Sequence, residues 1–352
     1  MSKKRINKNV INYSIIAVVF LVCIVYMVAT EGLENIGRAF ASLNYWWMLV
    51  ALLLMGVYWL TEAGTLSLFI RKLESGKHVP FGTVFRVTMV GQLFNCITPF
   101  ASGGQPMQAY YLVKAKMSLG GALTALISRF IIYQGTLTIL SVGVIILRYQ
   151  YFLENVSGFL VLALVGFIIN TLVIFFLIAV GYFKNFVLFV IRPIIRLLAK
   201  IHILKQPDKT QEKWEREVES FSENMGFVRN NWRLTAHAAL LTFVQLLAYF
   251  SLPFFIGLAL NDFSRLDYIN MVCAQAFVLM ISSFVPLPGA AGAAEGSFLL
   301  FFSNFLSSRT VPYATFIWRI FTFYVPILVG ALFLKRSKVR QGAPTDPDSL
   351  PD

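Results

Sequence analysis

Apolar residues run along this chain in blocks far longer than a core helix of a soluble domain needs. About 20 consecutive apolar residues cross a bilayer. Blocks at 10–29, 45–70, 119–147, 159–182, 234–260 and 312–334 have that length, which predicts six spanning helices. The second opens with Tyr45-Trp46-Trp47, an aromatic belt suited to the membrane interface. The first follows Lys3-Lys4-Arg5 as a signal peptide would. Its apolar run is long, however, and Glu31 stands where a small-residue cleavage site belongs, so it reads as an uncleaved anchor.

Two further apolar segments, 87–113 and 269–306, are interrupted. Thr98-Pro99-Phe100-Ala101-Ser102-Gly103-Gly104-Gln105-Pro106 breaks the first, and Pro286-Leu287-Pro288-Gly289-Ala290-Ala291-Gly292-Ala293-Ala294-Glu295-Gly296 breaks the second. Proline removes a helix donor and glycine carries little helical preference, so neither break continues as helix. Pro106 suits the opening turn of a returning helix, and helix is expected to resume over 293–306. Each segment is therefore expected to dip into the membrane and return as a re-entrant helix pair.

Charge fixes direction. Lys and Arg crowd the N-terminus, the 71–86 loop, the 184–233 segment and the tail after Leu334, whereas loops 30–44, 148–156 and 261–268 are neutral or acidic. With positive charge held inside, six crossings put both termini in the cytoplasm of a bacterial-type cell membrane. The first half then reads span, re-entrant pair from inside, span; the second reads span, re-entrant pair from outside, span. Gly104 precedes Arg129 by 25 positions and Gly292 precedes Arg319 by 27. The expected fold is an all-α integral membrane protein with about six spanning helices and two re-entrant pairs forming an inverted repeat. Its parts are an anchor and outer loop at 1–44, a first half at 45–183, a basic amphipathic segment at 184–233, a second half at 234–335 and a disordered tail at 336–352.

Composition agrees: 57% of residues are hydrophobic and 13% charged, against about 45–50% and about 25% in soluble domains. The net charge of +13 borders apolar runs, which favours anionic headgroups over nucleic acid as the partner. In the 184–233 segment, Arg192, Arg196 and Lys200 share one helix face, while Trp214, Val218, Phe221, Met225 and Val228 form an apolar stripe that lies on the membrane, packs in a bundle or docks a partner. Cys23, Cys96 and Cys273 lack paired spacing, and His78, His202 and His237 are scattered, so neither metal nor cofactor is expected.

Four ionisable residues sit in spans or breaks: Glu62, Arg129, Glu295 and Arg319. An unpaired charge at membrane depth costs about 2.5–3.5 kcal/mol, so each needs a partner or a ligand. Irregular backbone there is tolerated only against protein or a wet cavity, which points to Thr98, Pro99, Gly103, Gly104, Gln105, Gln108, Pro288, Gly289 and Gly292 as its lining. The returning half-helices would aim their N–H groups inward, as a phosphate requires. Arg129 is expected to bind that phosphate, and Glu295 to read a cationic headgroup or pair an arginine. For Arg319, ligand contact and structural pairing stay open. Gln92, Asn95, Gln134, Gln245 and Gln275 could complete a polar groove or bond between helices. No nucleophile elbow, P-loop, dinucleotide fingerprint or zinc motif is present.

The first break, continued to Tyr110-Tyr111-Leu112, the second break through Glu295-Gly296, Ser128-Arg129 and the closing 319–330 stretch with Pro326 resemble the lysylphosphatidylglycerol synthase transmembrane family over roughly 10–336. In fused relatives of that family, the membrane part flips aminoacylated phosphatidylglycerol made by a cytosolic synthase domain. The resemblance implies lipid translocation by this chain and not the synthase reaction, since the 184–233 insert is too small for an acyltransferase. Gln105, Gln108 and Ser128 stand where many relatives carry charge, a departure that bears on headgroup preference. Phospholipid is the implied partner, with a separate synthase chain and a homo-oligomer also open. Two alternatives stand beside translocation: a membrane component of lipid aminoacylation, and an ion-coupled transporter of a small solute using Glu62, Glu295 and Arg129.

Overall fold

The computed structural model describes residues 43–73, 79–156 and 207–335, except 264 and 284, with isolated positions elsewhere. The expected spans at 10–29 and 159–182, and the tail, lie outside the described residues, as do the side chains of Trp214 and Phe221. Among the described residues every regular element is helical: α1 (Tyr45–Leu73), α2 (Phe81–Ile97), α3 (Gly104–Lys114), α4 (Leu119–Asn155), α5 (Pro207–Asn230), α6 (Trp232–Ala259), α7 (Tyr268–Ser282), α8 (Ala293–Phe302), α9 (Val311–Arg319) and α10 (Val325–Lys335). The chain is an all-α membrane protein. Tyr45–Leu73, Leu119–Glu154, Trp232–Ala259 and Val311–Leu334 are each long and apolar enough to cross a bilayer.

The opening helices of the two halves run antiparallel along one another. The Asn44 N–H donates to the Ala259 carbonyl at 2.8 Å; Trp47 meets Phe255, Tyr58 meets Tyr249, and Gly64 faces Leu241. As numbers rise on α1 they fall on α6, so the second half is inverted. The remaining contacts keep their pattern when the halves are exchanged. α2 packs on α3 as α7 packs on α8, α3 on α4 as α8 on α9, and α2 on α10 as α7 on α4.

The breaks are the clearest repeat. Thr98 has φ −114° and ψ 145°, and Leu287 has φ −114° and ψ 147°. Phe100 (φ 53°, ψ 21°) corresponds to Gly289 (φ 59°, ψ 18°), and Ala101 (φ 51°) to Ala290 (φ 53°). Both form a short 3-10 turn, Pro99–Ala101 and Pro288–Ala290, and the two turns touch. Left-handed backbone costs a non-glycine residue about 1–2 kcal/mol, so the same conformation at two unlike sequences marks a requirement of the fold.

Three boundaries differ from expectation. The 71–86 loop shrinks because α1 reaches Leu73 and α2 begins at Phe81. The 148–156 loop is helical to Asn155, since Phe152 is fully buried against Phe277 and Phe301 and Tyr151 stacks on Phe305. The helix after the second break ends at Phe302, not 306; Ser303–Leu306 instead turns the chain, with the N–H of Leu306 donating to Phe302. In the basic segment α5 forms as expected and packs on α4 and α6, with Val218 and Val228 buried. Val218 and Val228 of that stripe thus face protein.

The last span is not a simple helix. Between α9 and α10 lies a π turn, Ile320–Tyr324. Pro326 follows and offers no N–H to the preceding turn, so the backbone widens by one residue there. Close backbone approach holds α10 on α2: a Cβ at Gly330 would lie 2.6 Å from the Met89 carbonyl oxygen. In lipid such approach substitutes van der Waals contact for the hydrophobic effect.

Candidate functional site

A cavity of about 750 Å³ lies where the two breaks meet. Its wall takes residues 55–62 from α1, 129–137 from α4, 242–249 from α6 and 318–326 from the last span, the middle stretch of each long helix. The cavity thus lies away from both ends of these helices. Both breaks contribute: Phe100, Ala101 and Ser102 from one, Leu287, Gly289 and Ala290 from the other.

Each half supplies one glutamate–arginine pair. Glu62 on α1 pairs with Arg129 on α4 through one carboxylate oxygen. Its other oxygen accepts from Gln92 of α2 at 2.6 Å. Arg129 also donates to the Gln108 side-chain oxygen on α3 at 3.1 Å. This network draws on four helices and is buried, with side-chain exposures of 13% for Arg129 and 6% for Glu62. In the second half Arg319 Nε donates to Glu295 at 2.6 Å. The second oxygen of Glu295 accepts the Gly292 N–H at 2.7 Å, so this residue caps α8 while neutralising Arg319. The Arg319 guanidinium lies over the rings of Trp318 and Phe323.

Of the expected site residues, Glu62, Gln105, Arg129, Gly289 and Arg319 line the cavity. Glu295 and Gln108 reach it through the arginines. The others build its frame. The Thr98 hydroxyl donates to the Phe94 carbonyl and accepts the Gly103 N–H, fastening the first break. Pro99 and Pro288 open the two 3-10 turns, and Gly104 admits the Asn95 side chain against α3. Gly292, at φ 85°, is the N-cap of α8. Arg129 lines the cavity while its guanidinium is paired, with a carboxylate on one side and an amide oxygen on the other. Glu295 takes the arginine-pairing course, and Arg319 is paired as well.

Residue-type reasoning overlooked the aromatic wall: Tyr58, Trp59, Tyr133, Tyr249, Trp318 and Phe323. The signal for most of it was helical spacing from the ionisable residues. Trp59 precedes Glu62 by three, Tyr133 follows Arg129 by four and Trp318 adjoins Arg319. The indole N–H groups of Trp59 and Trp318 are buried without a hydrogen-bond partner among the described residues.

Residues 13–330 match the family described as the lysylphosphatidylglycerol synthase TM region. The chain belongs to that family. Among its relatives is a UPF0104 membrane protein of Archaeoglobus fulgidus, 27% identical over 304 residues, or 84% of this chain and 88% of the relative. An uncharacterized protein of Mycoplasma genitalium, MG306, is 25% identical over 360 residues, covering 93% of this chain and 89% of that protein.

Proposed function

We propose that this protein moves a lipid between leaflets, its headgroup passing through the central cavity while the acyl chains stay in the bilayer. The observation that carries this reading is a chamber of mixed polar and apolar lining at mid-depth, walled by both inverted halves and floored by two irregular turns. Inverted repeats with broken helices at matching places suit alternating exposure of one site to two sides. Family membership agrees with a lipid-related role, and the bias of Lys and Arg in the loops supports an orientation with the N-terminus, α5 and the tail on the cytoplasmic face of the cell membrane. The chain acts without a covalent step of its own; any aminoacylation belongs to a separate synthase.

Purified protein in vesicles, with a fluorescent phospholipid and a leaflet-selective quencher, tests the proposal. Translocation faster than in protein-free vesicles is expected, and Gln134→Trp, which fills the cavity wall, should abolish it without changing the unfolding temperature. Equal rates with and without protein would end the lipid reading. Uptake of a water-soluble solute driven by an ion gradient would replace it with small-solute transport.

A further inference from the structure

From the packing of the last span we infer that α10 is the moving gate of the cavity, an arm hinged at the π turn that swings off α2. This rests on the translocation reading and names the part that moves. The first ground is how little holds the arm. Among the described residues, α2 is the one helix on which α10 packs extensively, apart from the π turn that it continues. The seat is smooth. Backbones meet at Gly330, where a Cβ would lie 2.6 Å from both the Met89 carbonyl oxygen and the Leu93 Cβ. Phe85 touches Phe333 edge-on at 5.9 Å. Leu93 and Cys96 of α2 and Ile327 of α10 form a small buried cluster, separate from the main core. Where a parted seam faces acyl chains, only van der Waals contact is lost.

The second ground is the hinge and where it sits. In the π turn the Val325 N–H donates to the Ile320 carbonyl, and Pro326 brings no N–H after it. Widened turns and missing bonds are where helices bend. The hinge is also cavity wall: Thr322, Phe323 and Pro326 line the chamber from the last span, as Gln92, Asn95 and Cys96 do from α2. The seam therefore starts at the cavity and runs to Phe81 and Lys335, so parting it joins the chamber to that end of the bundle. The corresponding seam of the other half, α4 on α7, is built to stay shut. α4 is α-helical throughout. Its Phe152 is fully buried, 5.2 Å from Phe277 and 6.0 Å from Phe301, and Tyr151 stacks on Phe305. Rings interlocked among α4, α7 and α8 cannot part without leaving a void.

Tying the arm down tests the gate. Phe85→Cys and Phe333→Cys, in a chain whose three native cysteines are replaced by alanine, are bridged in vesicles by a short cleavable thiol reagent. Movement of a fluorescent phospholipid should fall to the protein-free rate on bridging and return on cleavage. An unchanged rate overturns the gate and leaves translocation standing. If the unbridged chain moves no lipid faster than protein-free vesicles, the translocation reading falls, and distances alone judge the motion. Spin labels on Phe81→Cys with Leu332→Cys report on the first seam, and on Leu153→Cys with Ile269→Cys on the second, all at exposed positions. Two separated distances are expected across α2 and α10, and one across α4 and α7. A single distance in both pairs, or two in both, overturns the assignment of α10 as the gate.

Discussion

Arg129 and Arg319 hold corresponding places in two oppositely running halves, yet their counter-charges come from different elements. Arg129 takes its carboxylate from the neighbouring span α1 and a further acceptor from α3, whereas Arg319 takes its carboxylate from the returning helix α8. On the returning helix of the first half, Gln108 stands in the role that Glu295 plays in the second. The backbone of the repeat is shared to within a few degrees at Thr98 and Leu287 and at Phe100 and Gly289, but the charge network is not. One pair spans four helices and is shut away; the other is local and its glutamate side chain is 29% exposed. Burial and reach, more than the presence of an ion pair, set what each is worth.

The sharpest way to separate them is neutralisation. Glu62→Gln leaves Arg129 charged and buried without its carboxylate, at a cost of about 3–5 kcal/mol. Glu295→Gln acts on a pair that water reaches and removes a helix cap, costing about 1–2 kcal/mol. Thermal unfolding in detergent should therefore show a clearly larger drop for Glu62→Gln, and equal drops would erase the distinction. Glu62→Gln combined with Arg129→Gln should recover part of the loss, because no buried charge is then left over.

Next in size are the backbone contacts. Gly330→Ala drives a methyl onto the Met89 carbonyl, which belongs to a helix and cannot turn aside, so about 1–3 kcal/mol should be lost. The two breaks give a matched contrast. Gly289→Ala strains a left-handed residue and pushes the Phe323 ring away, lowering stability by about 1–2 kcal/mol. Phe100→Gly at the corresponding place relieves the same strain on a mostly exposed side chain, so unfolding should shift upward by less than about 1 kcal/mol. Opposite signs at the two sites are expected in scanning fluorimetry.

The smallest effect belongs to the surface pair of Arg192 with Glu215 on α5. Hydrogen bonds from Gln211 and then Arg192 hold the Glu215 carboxyl below the ordinary value of 4.5. A lowered folded value stabilises above the unfolded value and is lost as pH falls through the lowered one. Since the group is solvent-exposed, Glu215→Gln should leave the unfolding temperature unchanged at neutral pH. A measurable drop would mean that α5 is held more tightly by charge than by Val218 and Val228.

The breaks were legible in the sequence because proline and glycine act locally, and the four described spans because length and hydropathy are local too. Tyr45 and Leu119 fall where residue order alone puts them, whereas α7 ends at Ser282, ahead of the expected break at Pro286. Pairing was harder. Glu62 lies 67 positions from Arg129, and only folding brings this carboxylate and that guanidinium together. The extension of α4 through 148–155 was hidden for a related reason: Arg148-Tyr149-Gln150 reads as a loop until Phe152 is seen filling a slot among phenylalanines of α7 and α8. The aromatic wall was missed because tyrosine and tryptophan in a span look like interface anchors.

The π turn before Pro326 has a consequence for the whole last span. One residue more than α-helical spacing rotates everything downstream by about 100°. That phase shift puts Gly330 at the closest approach to Met89; in an uninterrupted helix Val329 would occupy that direction. A branched side chain there would wedge α10 off α2. The widened turn thus sets the clutch between the closing helix α10 and α2, helical turns away from the residue that engages it.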